Sequence, residues 1–483
     1  MTEASDMAYL PPMADLTILN KDEKIYTPKQ ADLNNSTLDF EIKNEEFNSV
    51  IDLQGVEFMM DIEISKADGT MLTMNEVAAV PSINFPHCLW KNIKVVCGGK
   101  IVSSQDSRYP IRAFLKKMEK MTKGQQELNF TSDFFAIEED LTAAENTYKS
   151  KPATEIHKLK LKKESFPDAD ADVNWPDATE MTAHPETFDN IAARMVREFT
   201  RHRGTSNRAA GRRHIFQDKI YECPFTTPHY LPSNVGLKVT FERNSHGYCL
   251  KGDNADNYRI LIKDVQLIIP YLELSAEKFA EINQRIASLK RPLDLWFERD
   301  VITTKEITPL INNYTFKNIF EGQTTDVLPE RLMFGFVTDN ILNGDKKTNN
   351  FHFMHHNLTK FTIIMPNRVI IGKPEKPKYD FSAGLTEQAY KEFIELIEVH
   401  KDGLGSVISQ DIYTDYLSLF GHRFTAQPLD IHKTQATAIG DWKLTCEWEN
   451  PPAADSGLML LCIGRFKSSV KIQPNFAVTT DYN

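Results

Sequence analysis

The chain has 483 residues, 41% hydrophobic and 25% charged, enough for a large core and for about two to three domains of a soluble globular protein. A formal net charge of -11 excludes a protein dedicated to coating DNA, so any nucleic-acid contact has to be local. No apolar run approaches the ~20 residues of a membrane span, and MTEASDMAYLPPMADL at the start lacks the basic stretch and apolar core of a secretory signal.

Neither a membrane span nor secretion by that route is expected, which makes the sequons at Asn129, Asn313 and Asn357 chance matches. Six cysteines, Cys88, Cys97, Cys223, Cys249, Cys446 and Cys462, show no Cys-x-x-Cys spacing. They read as reduced core thiols.

In chain order, residues 1–33 carry tandem prolines and little periodicity, as an extended or poorly ordered arm would. STLDFEIK then alternates Leu38, Phe40 and Ile42 with polar residues, the pattern of a half-buried strand. GVEFMMDIEISKADGT continues as strand up to an Asp68-Gly69 turn, and Gly98-Gly99 between two β-rich runs predicts a tight hairpin. In SRYPIRAFLKKMEK the period changes: Ile111, Phe114, Leu115 and Met118 share one face of a short amphipathic helix.

Residues 164–189 hold eight acids and no Lys or Arg, and Arg194–His214 holds seven arginines and one glutamate. Both lie in or beside a long insertion, about residues 123–213. Further on, Phe279, Ile282, Ile286 and Leu289 form an apolar stripe behind a potential Ser275 N-cap, predicting a linker helix within 273–292.

The order of elements then repeats at an offset of about 270 residues. NNYTFKNIFEG answers the strand at Phe40, and the apolar run Leu332–Val337 ends at Asn343-Gly344 as its counterpart ends at Asp68-Gly69. TKFTIIMPNRVIIGK breaks at Pro366-Asn367 like the earlier hairpin, and Tyr390, Phe393, Ile394 and Ile397 share a helical face. Near the C-terminus, WKLTCEWENPPAADSGLMLLCI reads as a hairpin around Ala454 that sets Cys446 opposite Cys462, adjacent without a disulfide.

The expected fold is therefore mainly β: two tandem eight-stranded jelly-roll β-sandwiches with a few short inserted helices. The first roll would span 34–272 and the second 293–483.

Four blocks carry a family resemblance: FEIKNEEFNSVIDLQGVEFMMDIEISKADGT, SINFPHCLWKNIKVVCGGKIVSSQDSRYPIRAFL, HIFQDKIYECPFTTPHYLPSNVGLKVTFERN and IFEGQTTDVLPERLMFGFVTDNILNGDKKTNNFHFMHHNL. In this order they resemble the corresponding blocks of Polinton (Maverick) and adintovirus capsid proteins. The resemblance implies a double jelly-roll major capsid protein, similar in architecture to adenovirus hexon, whose homotrimers form pseudo-hexameric capsomers of an icosahedral shell. It further implies location in the virion, synthesis in the host cytoplasm or nucleus, and a single jelly-roll penton or minor capsid protein as partner.

Other chemistries fit less well. DADADVNWPDAT places acids as an EF-hand loop does but has Val173 where Gly must turn and Thr179 where Glu must chelate. His352, His355 and His356 lack the His-x-His spacing of a cupin metal site, and no Gly-x-Ser-x-Gly or phosphate-binding loop occurs. No enzyme, cofactor or metal is expected; the alternative function is a lectin-like jelly-roll binding module. Arg201, Arg203, Arg208, Arg212 and Arg213 either pair with the acidic stretch or a neighbouring subunit, or make weak contact with packaged DNA.

Overall fold

A computed structural model describes residues 18–42, 48–69, 80–120, 135, 212–232, 234–251, 257–288, 292–317, 319–320, 328–346, 349–365, 370–371, 379–397, 408–424, 442–452, 457–473 and 477–480. The strands of the first half are β1 (Ile18–Tyr26), β2 (Thr37–Ile42), β3 (Ser49–Asp52), β4 (Glu57–Lys66), β5 (Val80–Pro81), β6 (Trp90–Cys97), β7 (Lys100–Ile101), β8 (Arg212–Lys219), β9 (Tyr230–Pro232), β10 (Leu237–Arg243), β11 (Leu250–Lys251) and β12 (Tyr258–Leu274). Those of the second are β13 (Leu293–Glu306), β14 (Asn313–Lys317), β15 (Arg331–Thr338), β16 (Leu358–Ile364), β17 (Ile370–Ile371), β18 (Phe420–Arg423), β19 (Lys443–Trp448), β20 (Leu458–Ile472) and β21 (Val478–Thr480). The helices are α1 (Phe85–Cys88), α2 (Tyr109–Lys120), α3 (His246–Cys249), α4 (Ala276–Ser288), α5 (Asp339–Asn343), α6 (Glu387–Ile397) and α7 (Gln410–Asp415).

Two sandwiches with one strand order result. In the first, the sheet β1-β12-β4-β8 packs on β2-β10-β6-β7; in the second, β13-β20-β15-β18 packs on β14-β19-β16-β17. Strand β3 continues the path of β4 beside β12 after a single 3-10 turn, Leu53–Gly55, and carries β9 on its other side. This is the jelly-roll order, written twice. It answers the repeat seen in the sequence, with β2, β4, β6 and α2 matched in turn by β14, β15, β16 and α6.

Alternation builds the cores. Leu38, Phe40 and Ile42 of β2 and Leu444, Cys446 and Trp448 of β19 are all buried, while their neighbours are less so. Across the first sandwich Phe58 meets Phe241 edge-on at 6.1 Å, and across the second Phe336 meets Trp448 at 5.6 Å. The predicted hairpin is β6–β7, with Gly98 and Gly99 at φ of 50° and 80°. Gly98 also lies against β21, where a Cβ would come 2.4 Å from Val478 Cγ2.

Three expectations change. Ile18–Tyr26, within the presumed arm, is a strand paired with β12 along its length. Helix α2 buries its polar face as well as its apolar one, with Arg112, Lys116 and Lys117 nearly inaccessible. The hairpin around Ala454 does not form: β19 pairs with β14 and β16 in one sheet, and β20 with β13 and β15 in the other. Residues 453–456 lie outside the described residues, but the two runs they join stand in different sheets. Cys446 and Cys462 are both buried and free, and their electrostatic interaction adds to the burial that lifts the Cys446 thiol.

Helix α4 forms where the linker helix was expected. The Ser275 hydroxyl accepts the Lys278 N–H at 3.2 Å, and Phe279 and Ile282 pack on Val50, Leu272 and Leu274 of the first sandwich. Among the described residues, no helix is long and apolar enough to cross a membrane.

Candidate functional site

The densest chemistry lies in a seam joining the two sandwiches. Its centre is α2, held in the first sandwich by a buried chain of polar groups. The Tyr109 hydroxyl and His87 Nδ1 lie 2.8 Å apart, and His87 Nε2 lies 2.9 Å from Asp218, which also binds Lys117. Burial opposes charge on Asp218, but Lys117 and His87 outweigh it and hold that carboxyl well below the usual range. His87 is fully buried, so the His–Asp pair anchors the helix.

The other face of α2 meets the second sandwich. Arg112 forks onto Asp106 at 2.6 and 2.5 Å, binds Glu222, and donates from Nε to the Asp300 carbonyl at 3.1 Å. Arg465 forks onto the Asp300 carboxylate at 2.8 and 3.1 Å and reaches Glu119 at 3.0 Å. Lys116 lies 3.2 Å from Asp300, and Arg331 binds Glu119. Four acids, Asp106, Glu119, Glu222 and Asp300, therefore meet four bases, Arg112, Lys116, Arg331 and Arg465, so the buried cluster is balanced. Each sandwich contributes both signs.

The shifts follow from this packing. Burial would raise Asp300 and Glu119, but Arg465 and Lys116 on the first, and Arg331 and Arg465 on the second, hold both low. Burial dominates at Glu222, which is raised despite Arg112.

A second contact lies at the loops. Gly247 of α3 and Gly344, which ends α5 at φ 92°, approach so closely that a Cβ on Gly247 would sit 2.8 Å from the Gly344 carbonyl oxygen. Only hydrogen fits there. Buried Lys251 donates to the carbonyls of Gly247 at 3.3 Å and Asp345 at 2.5 Å and to Asn350 Oδ1 at 2.5 Å. Burial pushes its ammonium down to about 8. Arg108 donates to the Leu342 carbonyl at 2.8 Å, and Phe114 stacks on Phe351 at 4.3 Å. The arrangement is a mechanical joint: forked ion pairs, carbonyl clasps and an aromatic stack fix one sandwich on the other.

The residues singled out in the sequence lie elsewhere. Arg201, Arg203 and Arg208, with the EF-hand-like loop, fall outside the described residues. Arg212 and Arg213 begin the edge strand β8, their backbones opposite Ile64 and Glu63 of β4. His352 contacts the Asp415 carbonyl at 3.0 Å, His355 stacks on Phe381 at 4.1 Å, and burial with the neighbouring histidines pushes His356 down to about 4. They are packing residues. Sequence reasoning missed the seam because Arg112, Lys116 and Glu119 look like the solvated face of an amphipathic helix.

No family model matches the chain, and no curated protein matches it. Solved structures do. A chain of the Sputnik virophage, determined by cryo-EM, is 10% identical with a TM-score of 0.52, covering 96% of this chain and 89% of its own. The mavirus major capsid protein is 11% identical with a TM-score of 0.43 over 98% and 94% of the two chains, and the Faustovirus major capsid protein 9% identical with a TM-score of 0.48 over 97% and 94%. The Sputnik chain shares the fold of the whole molecule, both sandwiches included.

Proposed function

We propose that this chain is the major capsid protein of a virus or integrated element of the Polinton (Maverick) and adintovirus type, three copies forming a capsomer of a protein shell. The observation that carries this reading is the pairing of two sandwiches of one strand order in a single block, locked by a buried, charge-balanced seam. Two like rolls per chain give three copies six similar sectors, and a locked joint keeps those sectors in fixed relation. The sequence blocks quoted above and the likeness of the whole chain to one from the Sputnik virophage support it. In this reading the rolls divide near residues 34–272 and 293–483, with α4 between them.

Negative-stain imaging of the purified protein tests it: three-fold particles with a six-lobed outline are expected, and small particles without symmetry would oppose it. Arg201, Arg203, Arg208, Arg212 and Arg213 are proposed to contact either a neighbouring subunit or packaged nucleic acid. Replacing all five with Gln separates the two. Shells that assemble but carry less nucleic acid, with weaker salt-sensitive DNA binding, indicate genome contact; failure to assemble, with no detectable nucleic-acid binding by the unaltered protein, indicates a subunit interface.

A further inference from the structure

At the loop contact a buried lysine of one roll touches a buried amide of the other. Lys251, which ends β11 in the first roll, is 1% exposed, and Asn350, beyond α5 in the second, is 2% exposed. Lys251 Nζ donates to Asn350 Oδ1 at 2.5 Å, and its other bonds go to the Gly247 and Asp345 carbonyls. All three acceptors are neutral oxygens. With a C=O bond of about 1.2 Å, the amide carbon Cγ lies no more than about 3.7 Å from the amine nitrogen, close to the separation from which an amine attacks.

The amide is held still for such an attack. Asn350 Nδ2 donates to the Tyr248 carbonyl at 2.7 Å and to Ser82 Oγ at 3.4 Å, so the side chain is fixed at both ends and Oδ1 faces the lysine. Ser82 in turn donates to the Tyr248 carbonyl at 2.5 Å. The Tyr248 ring lies 5.8 Å from Nζ, and Cys88 and Cys249 are buried beside it. Such a wall keeps water from competing for the same carbon.

The amine is also a better nucleophile than a surface lysine. Burial brings its ammonium down to about 8, so roughly a tenth of the groups are uncharged at pH 7, whereas an exposed lysine is almost wholly charged. Burial lifts both neighbouring thiols, Cys249 to about 12, so they stay protonated and do not compete.

We infer that Lys251 and Asn350 form an isopeptide bond, a self-made covalent tie between the two rolls. The Nζ–Cγ bond forms and the Cγ–Nδ2 bond breaks. The lysine amine gives up one hydrogen, the departing NH2 takes one up beside the Ser82 hydroxyl, and ammonia leaves; nothing is oxidised or reduced. Only the folded chain brings the partners together, because they stand 99 residues apart in the sequence. The tie crosses the same joint as the ion pairs and, unlike a disulfide, survives reduction. It holds whether or not copies of the chain assemble.

Mass spectrometry of the unaltered protein tests it. After the folded protein has stood at about pH 8, where about half of the amine is uncharged, digestion should yield a branched peptide in which Lys251 is joined to Asn350. That peptide should be lighter than the sum of its parts by one ammonia, and trypsin should no longer cut after Lys251. Lys251→Arg and Asn350→Leu should each abolish it. The denatured, reduced chain should run ahead of the Lys251→Arg chain in a gel, since the closed loop keeps it compact. Unjoined peptides of full mass after prolonged incubation, or Asn350 converted by water to aspartate, overturn the inference and leave the pair a hydrogen-bonded clasp. A branched peptide that persists in either variant places the join elsewhere and overturns it as well.

Discussion

At the scale of single residues, the balance of the seam decides what substitutions do. Arg465 touches Asp300, Glu119 and Glu298, so Arg465→Met leaves the buried cluster one positive charge short. The expected cost is ~3–5 kcal/mol, read as a lower denaturant midpoint at unchanged slope. A loss no larger than that of a surface substitution would mean the cluster contributes little. Acid should act on the same groups. The pKa values of Asp300 and Glu119 are lowered in the fold, so the stability they contribute is complete above about pH 4 and is lost as pH falls through their depressed values. Glu222, raised by burial, works in the opposite direction: its contribution is present in acid and lost as pH rises past its ordinary value. Asp218, held low by Lys117 and His87, acts in the same sense as Asp300 and Glu119, so the chain should weaken below about pH 4, and Asp300→Asn should flatten that slope; an unchanged slope in the variant would assign the acid loss to other groups. The cysteines give a simpler check. All six are buried and free, and burial alone pushes Cys97 up to about 12. Denaturation without reductant should expose six titratable thiols, and four would reveal a disulfide.

At the scale of elements, close packing replaces charge. Gly344→Ala would place a Cβ 2.8 Å from the Tyr248 N while the residue holds a left-handed conformation, so more than ~1 kcal/mol should be lost in a melt. The same change at Gly99, where nothing lies within 4 Å, meets only the conformational cost. Equal losses at the two sites would show that the loop contact is slack. What the sequence could reveal of the elements follows the same division. Alternation showed β2 and β19, paired glycines showed the β6–β7 turn, and the Ser275 cap with its apolar stripe showed α4, since each is local. The pairing of β19 and β20 was misread because two apolar runs joined by a short polar link look alike whether they pair with each other or with different sheets. Strand β1 was hidden because its side chains stay exposed, which leaves no alternation to see.

At the scale of the molecule, the repeat was legible in the order of elements and the jelly-roll class followed from it. The joint was not legible, because Glu222, Asp300 and Arg465 lie far along the chain from Asp106 and Arg112 and each alone resembles a surface charge. The same joint explains how two sandwiches can serve as one rigid unit. The most direct measurement is the native mass of the purified protein at micromolar concentration. A mass near three times that of the 55.3 kDa chain, persisting on dilution, is the predicted result. A stable, well-folded single chain under those conditions would contradict the account.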